Sequence, residues 1–564
     1  MVWVESRSNA LWTRRFFGGL LAIIGSLDIV ESLIAQHPLR SQVLDSLLPA
    51  EVSFGGRTGT VIAGLALLLL ALGVGRGKRV AWQLTMVALM ASVVLHLVKD
   101  LDVEEAVLAA WVAAGLWWMR DHFRAASDPA SVRRGAVMLT AGVVLAVGYG
   151  VLGVWLLRTE LRPGFELPRA LDNLARTLVQ ESSRYDALTD RSAWFLGSLP
   201  WIAYGLVLLG LALLLRPVVA PPAGSAERER LREMTSRWGH NPVCYLALYG
   251  PTSHFWLDGR ICVAYTVRAT TALALGDPIA PPEERGRAAR EFLRFCDAQG
   301  WTCAFYQVED PRPYREIGFT LVPIGADAII KTSSFSLGGS RRSSVRHAVR
   351  HCEKLGVTYR FVPAPIALEE AAHEISRVSG AWLRGGRGPE LGFSLGGLST
   401  LHDPHITVGL AFDAEGDLQA FVSWLPVPAR NGWTLDLMRR RPDGVSGVME
   451  ALIARSAAEA AGRGIEELSL GLAPLTVGAD GEHRTLRDLY RRLARFRRSR
   501  SLRRFKEQFD PVWEDRYLAV SSTASVPQAL IALLRAHLPP LSRVSLRLRA
   551  MRPGWERRRR WSGT

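Results

Sequence analysis

The apolar residues of this 564-residue chain are distributed unevenly, and this unevenness constrains the fold more than any other feature. Long apolar runs dominate residues 1–216, whereas the rest of the chain has the mixed composition of a globular protein. A helix needs roughly 20 apolar residues to cross a membrane. The stretches that approach or reach this length are Phe16–Gln36, Thr58–Gly75, Val80–Val98, Ala106–Met119, Gly135–Leu157 and Ser192–Leu215. We therefore predict an N-terminal all-α transmembrane bundle of about six helices over residues 1–216.

The basic residues between these stretches predict how the bundle is oriented. Arg14 and Arg15 precede the first stretch, and Arg76 and Lys78 lie in the second loop. With six spans these residues fall on one side, which the positive-inside rule identifies as cytoplasmic. Both chain termini and the C-terminal half are then predicted to lie in the cytoplasm, at the cell membrane. The five cysteines all follow residue 240 without a CxxC spacing, which fits a reducing compartment and argues against zinc or a disulfide framework.

The C-terminal half alternates between patterns typical of strands and of helices, which predicts an α/β or α+β fold. A proline-rich linker is predicted at 217–228, a first domain at 229–330, a second at 331–520 and a basic tail at 521–564. In the second domain, Trp433–Arg439 reads as a strand, Val448–Gly462 as an amphipathic helix and Glu467–Leu472 as a returning strand. This order is the core of an acetyltransferase-like fold.

Ordered motifs spread over residues 225–520 resemble those of one enzyme family. The main ones are Asp436-Leu437-Met438-Arg439, Leu470–Leu475 and Phe505–Trp513, and weaker ones include Gly276-Asp277-Pro278 and Gly392–Gly396. Together they resemble the phosphatidylglycerol lysyltransferases, also called aminoacyl-phosphatidylglycerol synthases or multiple-peptide-resistance factors. The resemblance implies two tandem acetyltransferase-like domains attached to a membrane domain.

The reaction implied by the resemblance is transfer of a lysyl or alanyl group from aminoacyl-tRNA to the glycerol hydroxyl of phosphatidylglycerol. The ester donor is already activated, so neither a metal nor another cofactor is expected. The enzyme must align two anionic substrates, help to remove a proton and stabilise an oxyanion. The transferred amino acid, the acceptor lipid and the oligomeric state stay open at this stage.

The candidate site residues come from these motifs and from clusters of basic residues. We predict Asp436 and Arg439 as catalytic, with an Asp–Arg pair bracing a strand end as the alternative. Guanidinium groups bind phosphate through paired donors, and the net charge of +16 resides mostly in arginine. The residues predicted to bind substrate are Arg440, Ser394, Lys506 and Arg503. Those predicted to bind tRNA or phosphate, with solvated helix faces as the alternative, are Arg491, Arg492, Arg495, Arg498, Arg342 and Arg346.

Two other functions stay open at the level of sequence. The turn Arg441–Gly447 lies where acetyltransferases that use coenzyme A carry a pyrophosphate-binding loop, but its second glycine comes one residue late. An acyl-CoA-dependent or other aminoacyl transferase acting on a different lipid or cell-wall precursor is one alternative. A non-catalytic membrane protein that binds anionic lipid or RNA is the other, and the intact Asp436–Arg439 and Phe505-Lys506 segments argue against it.

Overall fold

The computed structural model describes residues 12–26, 64–99, 103–123, 129–178, 183–214, 224–250, 252–268, 270–385, 392–474 and 497–538. The chain forms two units, which divide it near residue 220. The predicted linker residues 217–223 and tail residues 539–564 lie outside the described residues.

The first unit is mainly helical over its described residues. Its helices are α1 (residues 12–26), α2 (64–75), α3 (Arg79–Lys99), α4 (Val103–Trp118), α5 (Pro129–Leu156), α6 (Leu167–Leu178) and α7 (Asp190–Leu214). A short antiparallel pair, β1 (Leu161–Arg162) and β2 (Asp186–Ala187), lies in the segment that joins α5 to α7.

Apolar side chains occupy both the interior and the outer faces of these helices. Leu21 of α1, Val74 of α2 and Leu116 of α4 are fully buried in one cluster. On the outside, Trp118 is 87% exposed and Trp194 is 72% exposed. Within the described parts of the chain, we find no helix that is both long enough and apolar enough to cross a membrane. The six-span bundle stays a prediction.

Over its described residues, the second unit is built on one eleven-stranded sheet. Its strands are β3 (Ser253–Leu257), β4 (Ile261–Arg268), β5 (Thr271–Leu275), β6 (Thr302–Val308), β7 (Thr320–Lys331), β8 (Thr358–Pro363), β9 (Thr407–Phe412), β10 (Leu418–Val427), β11 (Gly432–Arg440), β12 (Glu467–Pro474) and β13 (Val512–Val520). Its helices are α8 (Ser225–Trp238), α9 (Arg285–Gln299), α10 (Arg312–Glu316), α11 (Ser343–Lys354), α12 (Ala364–Arg384), α13 (Val448–Gly462), α14 (Arg497–Glu507) and α15 (Val526–His537).

The sheet contains the same arrangement twice. The β4–β5 hairpin leads through α9 to β6, which runs parallel to β5. The β10–β11 hairpin leads likewise through α13 to β12, which runs parallel to β11. The last strands are exchanged: β7 of the first half pairs with β12 of the second, and β13 of the second half pairs with β6 of the first. Because β7 and β13 also pair with each other, the two halves share a continuous sheet.

Helices cover both faces of the sheet, which explains why most strand positions are apolar. Trp424 and Leu425 are neighbours on β10, so their side chains point to opposite faces. Trp424 packs with Leu452 of α13, whereas Leu425 packs with Ile375 of α12. The second half of the sheet therefore has a core on each face.

Candidate functional site

The two parallel strand pairs differ in how far they stay together. In the first half, β5 and β6 pair from Thr271–Thr302 to Leu275–Tyr306. In the second half, β11 and β12 pair only as far as Thr434–Ser469. Beyond that point Gly471 has a φ of +80° and the register of β12 shifts, a backbone conformation that glycine adopts without steric cost. The second pair therefore opens where the first stays closed.

A cavity of about 370 Å³ lies at this opening. Its wall is mostly apolar, with contributions from Leu435 on β11, Leu470 on β12 and Phe505 on α14. Its polar and ionisable groups are Tyr306, Gln307, Ser394, Thr434, Asp436, Lys506 and His537. An apolar pocket with a few convergent polar groups is the usual form of a small-molecule or catalytic site.

Asp436 lies in the wall of this cavity and fixes a neighbouring loop. Its Oδ1 accepts a hydrogen bond of 2.6 Å from the backbone N–H of Gly396, and its Oδ2 lies 3.4 Å from the hydroxyl of Thr400. A Cβ atom on Gly396 would lie 2.3 Å from Oδ2 of Asp436. The loop therefore needs glycine at this point to approach the carboxylate.

Lys506 reaches the cavity from α14 and is only 4% exposed. Its ammonium group donates hydrogen bonds to the carbonyls of Gly471 at 2.6 Å and Leu472 at 3.1 Å. Burial lowers the pKa of Lys506 to about 8, although the carboxylate of Asp327 opposes this shift. The cavity wall thus holds an amine whose charge changes close to physiological pH.

Ser394 is the third predicted site residue in the wall. It is 9% exposed, and its Oγ lies 2.8 Å from Nε2 of His537, at the end of α15. Asp436, Lys506 and Ser394 come from separate elements, and the structure brings all three to one cavity.

Arg439, predicted as catalytic with Asp436, packs against α12 and is 3% exposed. The β10–β11 register shifts between Leu435 and Met438, so strand alternation does not relate Arg439 to Asp436. Its guanidinium group donates to the hydroxyl of Ser379 and lies 5.6 Å from the ring centre of Trp382. Arg439 does not line the cavity, and neither does Arg440 at the end of β11.

The predicted phosphate-binding residues Arg342, just before α11, and Arg346, within α11, contact nearby backbone. Arg342 donates to the carbonyls of Ser336 and Phe509. Arg346 donates to the carbonyls of Leu337 and Gly339, at 2.6 and 2.9 Å. These contacts fix the loop before α11, so both guanidinium groups have structural partners.

The basic segment around α14 is described only in part. Arg491, Arg492 and Arg495 lie outside the described residues, and for Arg498 only the helical backbone is described. Arg503 forms a 2.7 Å ion pair with Glu507 and lies 5.1 Å from the ring centre of Trp513. Across the described ranges we find no cluster of three or more His, Cys, Asp or Glu residues able to hold a metal ion.

Sequence reasoning missed Gln307, Tyr306 and His537 as members of the cavity wall. Tyr306 and Gln307 belong to the first predicted domain and reach the second-half cavity only through the shared sheet. His537 lies in the region 521–564, predicted as a tail, where the structure has helix α15. No local motif marks these residues, because only the tertiary fold brings them to the opening.

A second cavity of about 560 Å³ is lined by carboxylates, among them Glu309, Glu467 and Glu514. Arg430 forms ion pairs of 2.7 Å with Glu467 and 2.6 Å with Glu514. Glu309 lies 2.5 Å from Nδ1 of His240. Because these carboxylates have cationic partners in the protein, we place the functional site in the first cavity.

Comparison with known proteins relates this unit to lipid-modifying enzymes. A family profile described as phosphatidylglycerol lysyltransferase, C-terminal, matches residues 232–520. The crystal structure of the C-terminal domain of a putative lysylphosphatidylglycerol synthetase from Agrobacterium fabrum is 24% identical, covers 56% of this chain and 98% of its own, and has a TM-score of 0.50. The structure of L-PGS from Bacillus licheniformis is 26% identical, with coverage of 57% and 98% and a TM-score of 0.50. The second unit thus resembles the acetyltransferase-like fold of these proteins.

Curated relatives extend the similarity toward the N-terminus. The phosphatidylglycerol lysyltransferase of Bacillus subtilis is 24% identical over 92% of this chain and 58% of its own length. The bifunctional lysylphosphatidylglycerol biosynthesis protein LysX of Mycobacterium tuberculosis is 29% identical over 72% of this chain and 36% of its own. An uncharacterized protein of Corynebacterium glutamicum is 26% identical over 86% and 65%. The chain spans less than two thirds of the length of each of these relatives.

Proposed function

Because the chain belongs to the family of phosphatidylglycerol lysyltransferase C-terminal regions, we propose that it transfers an aminoacyl group from aminoacyl-tRNA to the glycerol hydroxyl of phosphatidylglycerol. Its family membership supports transferase activity. The group transferred is lysyl or alanyl in this proposal, and the reaction takes place at the cytoplasmic face of the membrane.

The observation that carries the proposal is the cavity between the diverging strands β11 and β12, with Asp436, Lys506 and Ser394 in its wall. An aminoacyl ester needs no further activation, so positioning and charge stabilisation supply most of the rate. Asp436 binds the α-amino group of the donor or orients the acceptor hydroxyl. The ammonium of Lys506 stabilises negative charge that develops on the ester or belongs to the lipid phosphate.

The arginines divide between two tasks in this proposal. Arg439 holds β11 against α12 through Ser379 and Trp382, so it acts on the site through the strand that carries Asp436. Helix α14 carries Arg498, Arg503 and Lys506 in one segment that ends at the cavity. We propose that the acceptor stem of tRNA approaches along this helix, together with Arg491, Arg492 and Arg495. Such contacts neutralise phosphates and weaken as the salt concentration rises.

The exposed apolar side chains of the first unit support a location in the membrane. Trp111 is 73% exposed and Leu145 is 73% exposed, on α4 and α5. Large apolar surfaces on a protein mark contacts with lipid or with other proteins. We propose that residues 1–216 form a multi-pass membrane domain and hold the transferase close to its lipid substrate.

The packing of α11 opposes the alternative that uses coenzyme A. Helix α13 begins at Val448, after Gly447 with a φ of +79°. A Cβ on Gly447 would lie 2.9 Å from Cβ of Ala348, and Sγ of Cys352 lies 3.9 Å from the carbonyl of Ser446. Helix α11 therefore lies against the turn where a pyrophosphate would have to contact backbone N–H groups.

The test of the proposed function is mass spectrometry of polar lipids from cells that express the full chain. We expect a new species that is heavier than phosphatidylglycerol by one amino-acid residue, and this mass identifies the amino acid. Membranes should form the same species from charged tRNA, and ribonuclease should abolish the activity. Asp436→Ala should remove the product, whereas Glu415→Gln, in the exposed β9–β10 turn, should retain it. Transfer from coenzyme A thioesters with none from charged tRNA would contradict the proposal.

A further inference from the structure

His537 occupies a defined position in the cavity wall although it belongs to the last described helix. It ends α15, and its ring packs edge to face against those of Tyr306 and Phe393, with both centroids at 5.5 Å. The backbone carbonyl of His537 accepts a 2.9 Å hydrogen bond from the N–H of Gly392. The imidazole ring is therefore fixed in both position and orientation.

The hydrogen bonds of the imidazole determine which nitrogen carries the proton. Nδ1 lies 2.9 Å from the carbonyl oxygen of Leu533, which can only accept, so Nδ1 is the donor. Burial lowers the pKa of His537 and favours the neutral ring. In the neutral ring Nε2 is then an acceptor, and the hydroxyl of Ser394, at 2.8 Å, donates to it. This is the arrangement of a hydroxyl group next to a general base.

The backbone before Ser394 adopts a conformation that side chains rarely take. Phe393 has a φ of +66°, in the left-handed region, and its ring packs against His537. Such strain costs free energy and tends to occur where function requires a fixed geometry. The fold thus holds Ser394 against His537 at some cost, in the wall of the cavity that also contains Asp436 and Lys506.

We propose that Ser394 and His537 form a proton relay for the acceptor hydroxyl, a role that rests on the proposed aminoacyl transfer. The O–H bond of the acceptor breaks as its oxygen forms a bond to the carbonyl carbon of the ester. Oγ of Ser394 takes that proton and passes its own proton to Nε2 of His537. When the tetrahedral intermediate collapses, the bond from the carbonyl carbon to the ribose oxygen breaks. The proton returns through Ser394 to that ribose oxygen, so the relay ends as it began.

The relay predicts that the pH profile of transfer has an acid limb, in which the rate decreases as the pH falls, because His537 accepts a proton only while it is neutral. As the pH falls through the pKa of His537, the ring becomes protonated and kcat decreases. The other ionisable groups in this cavity are Tyr306, Asp436 and Lys506. On α15 itself, Arg535 lies two residues before His537. Lys506 titrates near pH 8, on the alkaline side, so its effect is separate from the acid limb.

The experiment compares the full-length chain in membranes with His537→Gln, which can accept the Ser394 hydrogen bond but cannot titrate. Ser394→Ala is the second variant and removes a single oxygen atom from the wall. We expect both to lower kcat by about 10²- to 10⁴-fold, to change KM for charged tRNA by less than about threefold, and to lose the acid limb. His373→Gln on α12, whose side chain is exposed, should match the wild type. Melting temperatures of the variants check that the fold is retained.

The possible outcomes separate the relay from the proposed function. If the wild type transfers the aminoacyl group and His537→Gln has the same rate and the same acid limb, the relay is overturned and the proposed function stays intact. An aminoacyl ester trapped on Ser394 after acid quenching would also overturn the relay, since it would make Ser394 a nucleophile. Absence of transfer from any charged tRNA by the wild type would overturn the proposed function and the relay with it.

Discussion

At the scale of single residues, the ammonium group of Lys506 is a charge almost wholly removed from water. It is 4% exposed and is held by two backbone carbonyls, Gly471 and Leu472, where β12 leaves β11. A buried ammonium without such partners would lose its proton more readily. The chain therefore maintains a cation in a mostly apolar cavity. The protonated form of Lys506 predominates only at a pH below its pKa of about 8.

This pKa leads to a prediction for the alkaline side of the pH profile. If transfer needs the cationic form, kcat/KM should decrease as the pH rises through about 8, because Lys506 then loses its charge. Lys506→Arg keeps a positive charge at every accessible pH, so the decrease should disappear even though the maximal rate falls by roughly tenfold or more. Initial rates of lipid aminoacylation, corrected for spontaneous ester hydrolysis, measure both effects. Lys354→Arg on exposed α11 should keep the wild-type profile, and an alkaline limb that persists in Lys506→Arg would refute the assignment.

The site residues divide according to whether a local motif marks them. Asp436, Ser394 and Lys506 lie within short segments that resemble a family, and they line one cavity. Arg439 lies in the same motif as Asp436, but its side chain contacts Ser379 and Trp382 of α12 and does not line the cavity. Residue spacing could not have indicated this, because the β10–β11 register shifts between Leu435 and Met438. His537 could not be predicted, because its role depends on a helix packing over a loop that lies 143 residues earlier in the chain.

At the scale of elements, the loop around residues 392–397 connects strand β11 to the proposed relay. Its Gly396 N–H donates to Asp436 on β11, its Ser394 hydroxyl donates to His537 on α15, and its Gly392 N–H donates to the carbonyl of His537. One short loop thus holds two ionisable side chains of the cavity wall in place. We therefore predict that the position of this loop affects transfer more than it affects the stability of the sheet.

A pair of glycine substitutions in this loop tests that statement. In Gly396→Ala the new Cβ would lie 2.3 Å from Oδ2 of Asp436 and 2.8 Å from Cγ2 of Thr400. The loop must then shift, at a cost of about 1–3 kcal/mol, and transfer activity should fall by about 10²-fold because the reacting groups are displaced. In Gly392→Ala the Cβ would have no atom within 4 Å, so activity and melting temperature should remain close to wild type. Equal behaviour of the two variants in rate assays and thermal melts would contradict this role of the loop.

Periodicity predicted most of the elements that build this site. The strands Trp433–Arg439 and Glu467–Leu472 and the helix Val448–Gly462 are confirmed, with differences of one or two residues at the strand ends. The order of the strands could not be predicted in this way. Alternation and apolar content are the same whether β13 pairs within its own half or with β6, and only the packing of the whole unit decides between them.

At the scale of the whole molecule, the exchange of β7 and β13 makes the two acetyltransferase-like halves depend on each other. A buried network of ion pairs lies along the exchanged strands. Arg516 of β13, 2% exposed in its side chain, lies 3.2 Å from Asp327 of β7 and 3.0 Å from Glu514. Glu309, just after β6, lies 3.5 Å from Arg516 and 3.7 Å from Arg430. Both exchanged strands thus contribute charges to one cluster.

Removing one charge from this network should destabilise both halves together. Arg516→Leu leaves Asp327, 1% exposed in its side chain, as a buried charge without this partner, and such changes cost about 3–5 kcal/mol. The double variant Arg516→Leu, Asp327→Leu should lose less than the sum of the single changes, by about 0.5–3 kcal/mol. Arg312→Leu, which breaks an exposed pair with Asp310, should cost less than about 1 kcal/mol.

Hydrogen exchange of the full chain in denaturant gives these free energies strand by strand. Because β7 and β13 connect the halves, protection should decrease equally in β5–β6 and in β11–β12, whereas a decrease in only one strand pair would mean that the halves unfold independently.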